Sequence, residues 1–208
     1  MLNSSKTWLF GFVLLVAGGW YYFFYTPAII VVNAPPRPGP IVALGDSLTA
    51  GEGAAPGQAY PDQLARMIGR PVINCGQSGN TVAEAAQRLD PDVLPQHPAV
   101  AIVLLGGNDL LRQLDLNQSF ATLATIVRRL QDQGAMVVLV GLKTTPWGGV
   151  GARYEALARA SGCVYIPNIL GGVMLHSRLM ADQIHPNGDG YRLVAQRVAA
   201  ALKPYLKP

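Results

Sequence analysis

The sequence predicts a three-layer α/β domain built on a parallel sheet. Short apolar runs rich in Val and Ile recur along the chain, and each one stops at Gly or Pro. The runs do not alternate apolar and polar residues, which is typical of strands covered on both faces. Stretches with helical spacing lie between them, and regular alternation of strand and helix favours parallel strands joined by right-handed crossovers.

Five runs are the predicted strands: Ile41–Leu44, Val72–Cys75, Val100–Leu105, Met136–Val140 and Cys163–Ile166. Four stretches between and after them are predicted as helices: Pro61–Ile68, Thr81–Leu89, Asn117–Gln133 and Asn187–Leu202. In the longest, Phe120, Leu123 and Val127 recur at helical spacing, and Gly134 provides a helix stop. The globular domain is therefore expected over residues 41–208.

An apolar segment precedes this domain. Trp8 to Tyr25 is almost wholly apolar or aromatic. As a helix rising 1.5 Å per residue, it would nearly cross a hydrocarbon core of about 30 Å. We expect residues 1–33 to form an N-terminal membrane anchor with one transmembrane helix, and the Pro-rich residues 34–40 to form a stiff, extended linker.

A cleaved secretory signal is the alternative interpretation of the N-terminal segment. Val32-Asn33-Ala34 resembles a small-residue cleavage site. However, Pro35 follows it, and the apolar run is long for the core of a signal peptide. Lys6 and Arg37 flank the apolar stretch on its two sides, which gives a weak orientation signal.

Composition argues against two classes of partner. The formal net charge is +4, but Lys and Arg are scattered and no nucleic-acid motif appears, so we expect no nucleic-acid binding. The two cysteines, Cys75 and Cys163, form no C-x-x-C pair and lie beside no histidine cluster. No metal site is therefore expected.

Polar clusters follow three of the predicted strands and precede the last helix: Gly45-Asp-Ser-Leu-Thr49, Gly76-Gln-Ser-Gly-Asn-Thr81, Gly106-Gly-Asn-Asp109 and Asp182-Gln-Ile-His-Pro-Asn187. Ligands of open parallel sheets bind beyond the carboxyl ends of the strands. The first cluster lacks the Gly-x-Ser-x-Gly pattern of ordinary α/β-hydrolases, and it is no phosphate-binding glycine loop.

Taken together, the four clusters resemble those of the SGNH (GDSL-type) serine hydrolases, and closely their bacterial acyl-thioesterase, arylesterase and lysophospholipase branch. The resemblance covers residues 41 to about 202 and implies a flavodoxin-like five-stranded sheet in the order 2-1-3-4-5. It makes Ser47 the nucleophile, His185 the general base and Asp182 the residue that orients His185. Gly79 and Asn108 would complete an oxyanion hole with the backbone N–H of Ser47.

Elementary chemistry agrees with these implied roles. A serine hydroxyl needs a neighbouring imidazole to take its proton, and a carboxylate three residues before that imidazole can reach it through one short turn. An amide side chain and backbone N–H groups suit the developing charge of an oxyanion. Asp46 and Asp109 are interpreted instead as non-catalytic residues that make hydrogen bonds in their turns or to the residues that surround the site.

The expected function is hydrolysis of carboxylic esters or thioesters through an acyl-serine intermediate, without cofactor or metal. The partner would be a small-molecule or lipid ester, with the membrane contacted through the N-terminal helix and the protein otherwise a monomer. We expect a single-pass protein of a bacterial inner membrane with the domain outside, or a secreted protein after signal cleavage. A carbohydrate O-deacetylase of the same family and a non-catalytic anchored binding protein remain alternatives.

Two side chains after the fourth strand are candidates for the acyl pocket. Leu142 and Trp147 belong to a long, glycine-rich segment at 141–151. A surface loop that tucks Trp147 into the core is an equally good interpretation, since loop length alone does not decide.

The implied sheet order also bears on the cysteines. It puts Cys75 and Cys163 at opposite edges, several strand spacings of about 4.8 Å apart, beyond the reach of a disulfide. Two free, mostly buried thiols are therefore predicted.

Overall fold

The structure is a computed structural model that describes residues 28–143 and 149–206. Its strands are β1 (Ile41–Gly45), β2 (Val72–Gly76), β3 (Val100–Leu104), β4 (Met136–Val140) and β5 (Val164–Ile166). Its α-helices are α1 (Ser47–Ala50), α2 (Tyr60–Ile68), α3 (Val82–Gln87), α4 (Gly107–Leu111), α5 (Leu116–Asp132), α6 (Val150–Ser161) and α7 (Gly188–Leu202). Short turns of other helix types lie at Leu89–Val93, Leu94–Gln96 and Ser177–Leu179.

All five strands are parallel and lie in the order β2-β1-β3-β4-β5, which confirms the predicted architecture. Helices α2 and α7 pack together, while α5 contacts both α3 and α6. The three inner strands are buried along their whole length, as continuous apolar runs predict. The edge strand β2 is partly exposed, so its Val-Ile-Asn-Cys run is covered less completely than expected.

Helix α6 is the main element that the sequence did not predict. Its buried side chains are Val150, Tyr154 and Ala158, which recur every four residues. Because one of the three is only a methyl group, the apolar stripe is too narrow to stand out in the sequence. The helix packs against β4, β5 and α5.

Residues 28–40, which we call the strap, run along the end of the sheet at which the strands begin. We call this end the amino-terminal edge of the sheet. Backbone bonds join Val32 N–H to the Gly162 carbonyl (2.9 Å) and Ala99 N–H to the Pro40 carbonyl (2.9 Å). The side chains of Ile29, Val31 and Ala34 pack against the core. The Pro-rich residues expected to form a linker are therefore docked on the domain.

No helix within residues 28–143 and 149–206 has the length and hydropathy needed to cross a bilayer. The predicted transmembrane helix, Trp8 to Tyr25, lies outside the described residues.

Both cysteines are free thiols at the opposite sides of the sheet, as predicted. Cys163 directly precedes β5 and is fully buried, whereas Cys75 on β2 is partly exposed. Burial raises the pKa of the Cys163 thiol to about 12.

Candidate active site

Ser47 is the first residue of α1, just beyond the carboxyl end of β1. Asp46 caps this helix, since its carboxylate accepts a hydrogen bond from Leu48 N–H at 3.0 Å. A side chain at Gly45 would collide with Thr49 and with the Leu104 carbonyl, so the turn requires a glycine there. The Gly-Asp-Ser sequence thus forms a tight strand-to-helix turn that leaves Ser47 partly exposed.

A loop before α7 carries His185 and Asp182. One carboxylate oxygen of Asp182, Oδ1, accepts from Ile184 N–H and His185 N–H, both at 2.7 Å. The carbonyl of His185 accepts in turn from Ala181 N–H at 2.8 Å. The loop is therefore closed on itself by backbone bonds, and it fixes the two side chains relative to each other.

The structure brings Ser47, His185 and Asp182 into one chain of hydrogen bonds. His185 Nε2 lies 3.1 Å from Ser47 Oγ, and His185 Nδ1 lies 2.8 Å from Asp182 Oδ2. Since a carboxylate only accepts, Nδ1 carries the proton and Nε2 is left to accept from the serine hydroxyl. The hydrogen bonds from His185 and Ile184 lower the pKa of the Asp182 carboxyl to about 2.

Gly79 lies in the loop after β2, and Asn108 lies in α4 after β3. Both segments are therefore at the carboxyl ends of the strands. Asn108 Nδ2 donates to the Asn80 carbonyl at 2.9 Å, and Asp109 Oδ2 accepts from Val82 N–H at 3.0 Å. Gly79 has a φ of 79°, a conformation that favours glycine. These bonds hold α4 against the loop that follows β2.

One further bond connects this assembly to the turn that carries Ser47, and another lies within the assembly. Gln77 N–H donates at 3.0 Å to the carbonyl of Gly45, two residues before Ser47. Arg112 Nη2 donates to the Gly79 carbonyl at 2.7 Å. Within the described residues, the amide N–H groups of Ser47 and Gly79 meet no hydrogen-bond acceptor. Both donors are thus available to a ligand.

Two buried carboxyl groups make hydrogen bonds to the segments that carry the candidate site residues. Asp46 and Asp109 are both 2% exposed. Asp46 bonds within its own turn, whereas Asp109 bonds to Val82 in α3 and to Ser119 in α5. Burial raises the pKa of Asp46 to about 6, against the opposing effect of its backbone hydrogen bonds. Asp109 Oδ1 accepts from the Ser119 hydroxyl at 2.6 Å, so both of its oxygens are satisfied.

Sequence reasoning missed a contact between two exposed residues beside the site. The Ser78 hydroxyl donates to Glu52 Oε2 at 2.5 Å, and the Glu52 carbonyl accepts from the Tyr191 hydroxyl at 2.8 Å. The next residue, Gly53, lies so near His185 that an added Cβ would stand 3.0 Å from the histidine Cβ. Because Glu52 and Ser78 are 26 positions apart in the sequence, no local pattern indicates their pairing.

Of the two candidate pocket residues, Leu142 and Trp147, the structure describes only Leu142. Leu142 is 6% exposed and belongs to the core, where its Cδ1 would lie 3.4 Å from a Cβ added at Gly107. It therefore packs beneath the Asn108 turn. Trp147 lies outside the described residues. Within the described ranges, no group of three His, Cys, Asp or Glu side chains could hold a metal ion.

Comparisons with known proteins point to one family. Residues 43–193 match the model of the GDSL-like lipase/acylhydrolase family. Esterase TesA of Pseudomonas aeruginosa is 31% identical over 180 residues, covering 80% of this chain and 89% of the esterase. Thioesterase 1/protease 1/lysophospholipase L1 of Escherichia coli K12 is 32% identical over 174 residues, covering 79% of this chain and 83% of that enzyme.

Solved structures give the same result. The crystal structure of TesA superimposes with a TM-score of 0.76 at 29% identity, covering 80% of this chain and 99% of that one. AlinE4, an SGNH-hydrolase family esterase, has a TM-score of 0.64 at 31% identity and covers 83% of this chain and 98% of its own. The chain belongs to the GDSL-like lipase/acylhydrolase family and is an ester-hydrolysing enzyme of the SGNH type.

Proposed function

We propose that Ser47 attacks the carbonyl carbon of an ester or thioester while His185 Nε2 takes the hydroxyl proton. The observation that supports this assignment is the continuous hydrogen-bond chain from Ser47 through His185 to Asp182. Asp182 holds the imidazole in the tautomer that can accept, and its charge stabilises the imidazolium that forms. His185 then protonates the leaving alcohol or thiol, and water hydrolyses the acyl-Ser47 intermediate by the same steps in reverse.

The proposed oxyanion hole consists of the backbone N–H groups of Ser47 and Gly79 and the side-chain amide of Asn108. A primary amide carries two N–H hydrogens, and Asn108 uses one of them on the Asn80 carbonyl. The second remains for the oxyanion. One such preorganised donor typically contributes about 3–4 kcal/mol to transition-state stabilisation.

The proposed substrates are carboxylic esters and thioesters with a hydrophobic acyl or aryl group. The relatives that match over most of their length are named as an esterase, a thioesterase and lysophospholipase, and an arylesterase. Exposed apolar side chains on segments that carry or flank the site favour a hydrophobic substrate portion. They include Leu111 and Leu114 after Asn108, and Ile184 beside His185.

We also propose that the residues before the strap anchor the chain in a bacterial inner membrane, with the domain outside and acting as a monomer. Residues 28–33, which were expected to belong to the anchor, are docked on the domain instead. The charge-free apolar run from Trp8 to Tyr25 supports an anchor. Release after signal cleavage is the competing arrangement. The mass of the mature N-terminus in a membrane fraction distinguishes the two.

The test of the proposed chemistry uses the full chain in detergent. Hydrolysis is measured on aryl esters and acyl-thioesters graded from acetyl to palmitoyl, alongside an acetylated sugar. We expect turnover of acyl esters that is lost in Ser47→Ala and kept in the matched control Ser161→Ala, at the end of α6. A strong preference for the acetylated sugar would instead indicate the deacetylase alternative, and activity that survives Ser47→Ala would overturn the nucleophile assignment.

A further inference from the structure

The strap enters the domain at the end of the sheet opposite to Ser47. It contacts residues that directly precede strands, namely Ala99 before β3, Ala135 before β4 and Gly162 shortly before β5. The candidate catalytic residues follow the carboxyl ends of the strands. A five-residue strand spans about 15 Å at roughly 3.3 Å per residue, so at least that distance separates the strap from the site.

The strap is held in this position by several independent bonds. Asn33 Nδ2 donates to the carbonyls of Gln131 (2.9 Å) and Ala135 (3.0 Å). Arg37 Nη2 lies 3.0 to 3.3 Å from the carbonyls of His97, Pro98 and Gln133. The Arg37 contact with Gln133 is made just after the last turn of α5, where a cation is favourable. The direction in which the chain approaches the domain is therefore fixed.

Little chain separates the apolar segment from this docked part. The apolar run ends at Tyr25, and Ile29 already packs against the core. Four residues span at most about 14 Å even when fully extended. If Trp8 to Tyr25 lies in a bilayer, its surface is thus close to the amino-terminal edge of the sheet.

The chemistry of this edge fits a lipid surface. A cleft of about 630 Å³ runs between the strap prolines, Arg37, Arg70, Tyr205 and Leu206. A second cleft beside it is lined by Met67, Ile68, Leu206 and Lys203 among others. Among the described residues that line the two clefts, there are Arg and Lys side chains and no acidic ones. Exposed Ile30 (89%) and Met67 (41%) add apolar surface. Apolar side chains interleaved with cations suit a bilayer with anionic headgroups.

We propose that the amino-terminal edge of the sheet rests on the bilayer that holds the N-terminal segment, and that the Ser47 site opens to the aqueous side. The substrates of this site are then esters that arrive through water, and not lipids of the anchoring bilayer. This inference rests on the proposed anchor and on the proposed esterase chemistry.

The orientation is tested with the full chain in vesicles that contain anionic lipids and a nitroxide quencher on the lipid. Cys75→Ser removes the accessible native thiol, and a fluorophore is attached to Met67→Cys on the proposed contact edge or to Leu175→Cys beyond the end of β5. Both native side chains are exposed, so the two labels form a matched pair. We expect strong quenching at position 67 and weak quenching at position 175. Equal quenching, or the reverse order, would overturn the orientation.

The substrate class is tested in the same vesicles without the label. A water-soluble aryl ester is compared with the same aryl ester attached by a short tether to a phospholipid of the protein's own bilayer. A tether that does not span the distance to Ser47 gives almost no effective concentration, so we expect cleavage of the tethered ester at least about tenfold more slowly. Cleavage at the rate of the soluble ester or faster would overturn the inference. Absence of Ser47-dependent cleavage of the soluble ester would contradict the proposed chemistry instead, while the quenching result would still report the orientation.

Discussion

Asp182 uses its two carboxylate oxygens for different purposes. Oδ1 accepts from the backbone N–H groups of Ile184 and His185, and Oδ2 accepts from His185 Nδ1. The first oxygen shapes the loop and the second sets the histidine tautomer. The side chain of Asp182 is 54% exposed, so its effect on His185 comes from these hydrogen bonds and not from burial.

Replacing Asp182 with Asn should separate these two purposes. The amide oxygen keeps the backbone bonds, while the amide nitrogen faces His185 Nδ1 and forces the proton onto Nε2. We expect kcat to fall by about 10²–10⁴-fold, as expected for a triad with the wrong tautomer, with little change in melting temperature. Steady-state kinetics and a thermal melt measure both. The exposed acid Asp189 provides the control Asp189→Asn, and a kcat fall no larger than in that control would refute the role.

Asp46 makes the stability of the domain depend on pH. Its pKa is raised from 3.8 to about 6 by burial. The stability that protonated Asp46 contributes is present in full below pH 3.8, and it is lost as the pH rises through about 6. Above that pH, the folded protein carries a buried carboxylate next to Ser47.

The variant Asp46→Asn should therefore be more stable than the native protein in alkaline solution. Asn caps a helix as well as Asp does but carries no charge. We expect a gain in the free energy of unfolding of about 3 kcal/mol at pH 8, shrinking to well below about 1 kcal/mol at pH 4. Urea unfolding at the two pH values checks this. A difference between the two proteins that does not change with pH would contradict the buried-charge account.

At the scale of elements, the loop that follows β2 and contains Ser78 and Gly79 is held by hydrogen bonds from two sides. Asn108 in α4 and Arg112, which directly follows α4, bond to this loop from one side. Glu52, in the segment after α1, bonds to Ser78 from the other. The loop also contains Gly79, whose positive φ needs such support to stay in one conformation.

Removing the Ser78 hydroxyl should loosen this loop without weakening substrate binding. An exposed hydrogen bond to a carboxylate contributes about 1 kcal/mol, which corresponds to roughly a fivefold lower kcat in Ser78→Ala. We expect KM to stay unchanged, because the proposed oxyanion hole would act mainly in the transition state. Glu52→Gln should show a smaller effect in the same direction, and Ser177→Ala serves as the exposed control. A change confined to KM would argue against a positioning role.

The bounds of the strands and the polar clusters that follow them could be predicted, because each is determined by a short continuous stretch of sequence. Continuous apolar runs gave β4 with its correct bounds and placed β1 and β2 to within one residue. The sheet order came from the family resemblance, since nothing in the runs themselves states which strands are neighbours. The strap contacts and the Glu52–Ser78 bond could not be predicted, because they join residues far apart in sequence through side chains of ordinary composition.

At the scale of the whole molecule, the sheet order keeps the two thiols apart. Cys163 is buried beside β5 and Cys75 lies on the opposite edge strand. In native protein we expect Cys75 to react slowly with a thiol reagent and Cys163 to react only after unfolding. The mass under oxidising conditions should show no loss of two hydrogens. A Cys75–Cys163 bridge would contradict the topology.

The central claim is that an acyl group is carried on Ser47 after activation by His185. The most direct measurement is peptide mapping of the full chain after reaction with a fluorophosphonate, which mimics the acylation step and stays attached. The account predicts a single adduct on the peptide that contains Ser47, absent in Ser47→Ala and formed far more slowly in His185→Ala. An adduct on another residue, or equal labelling in His185→Ala, would contradict it.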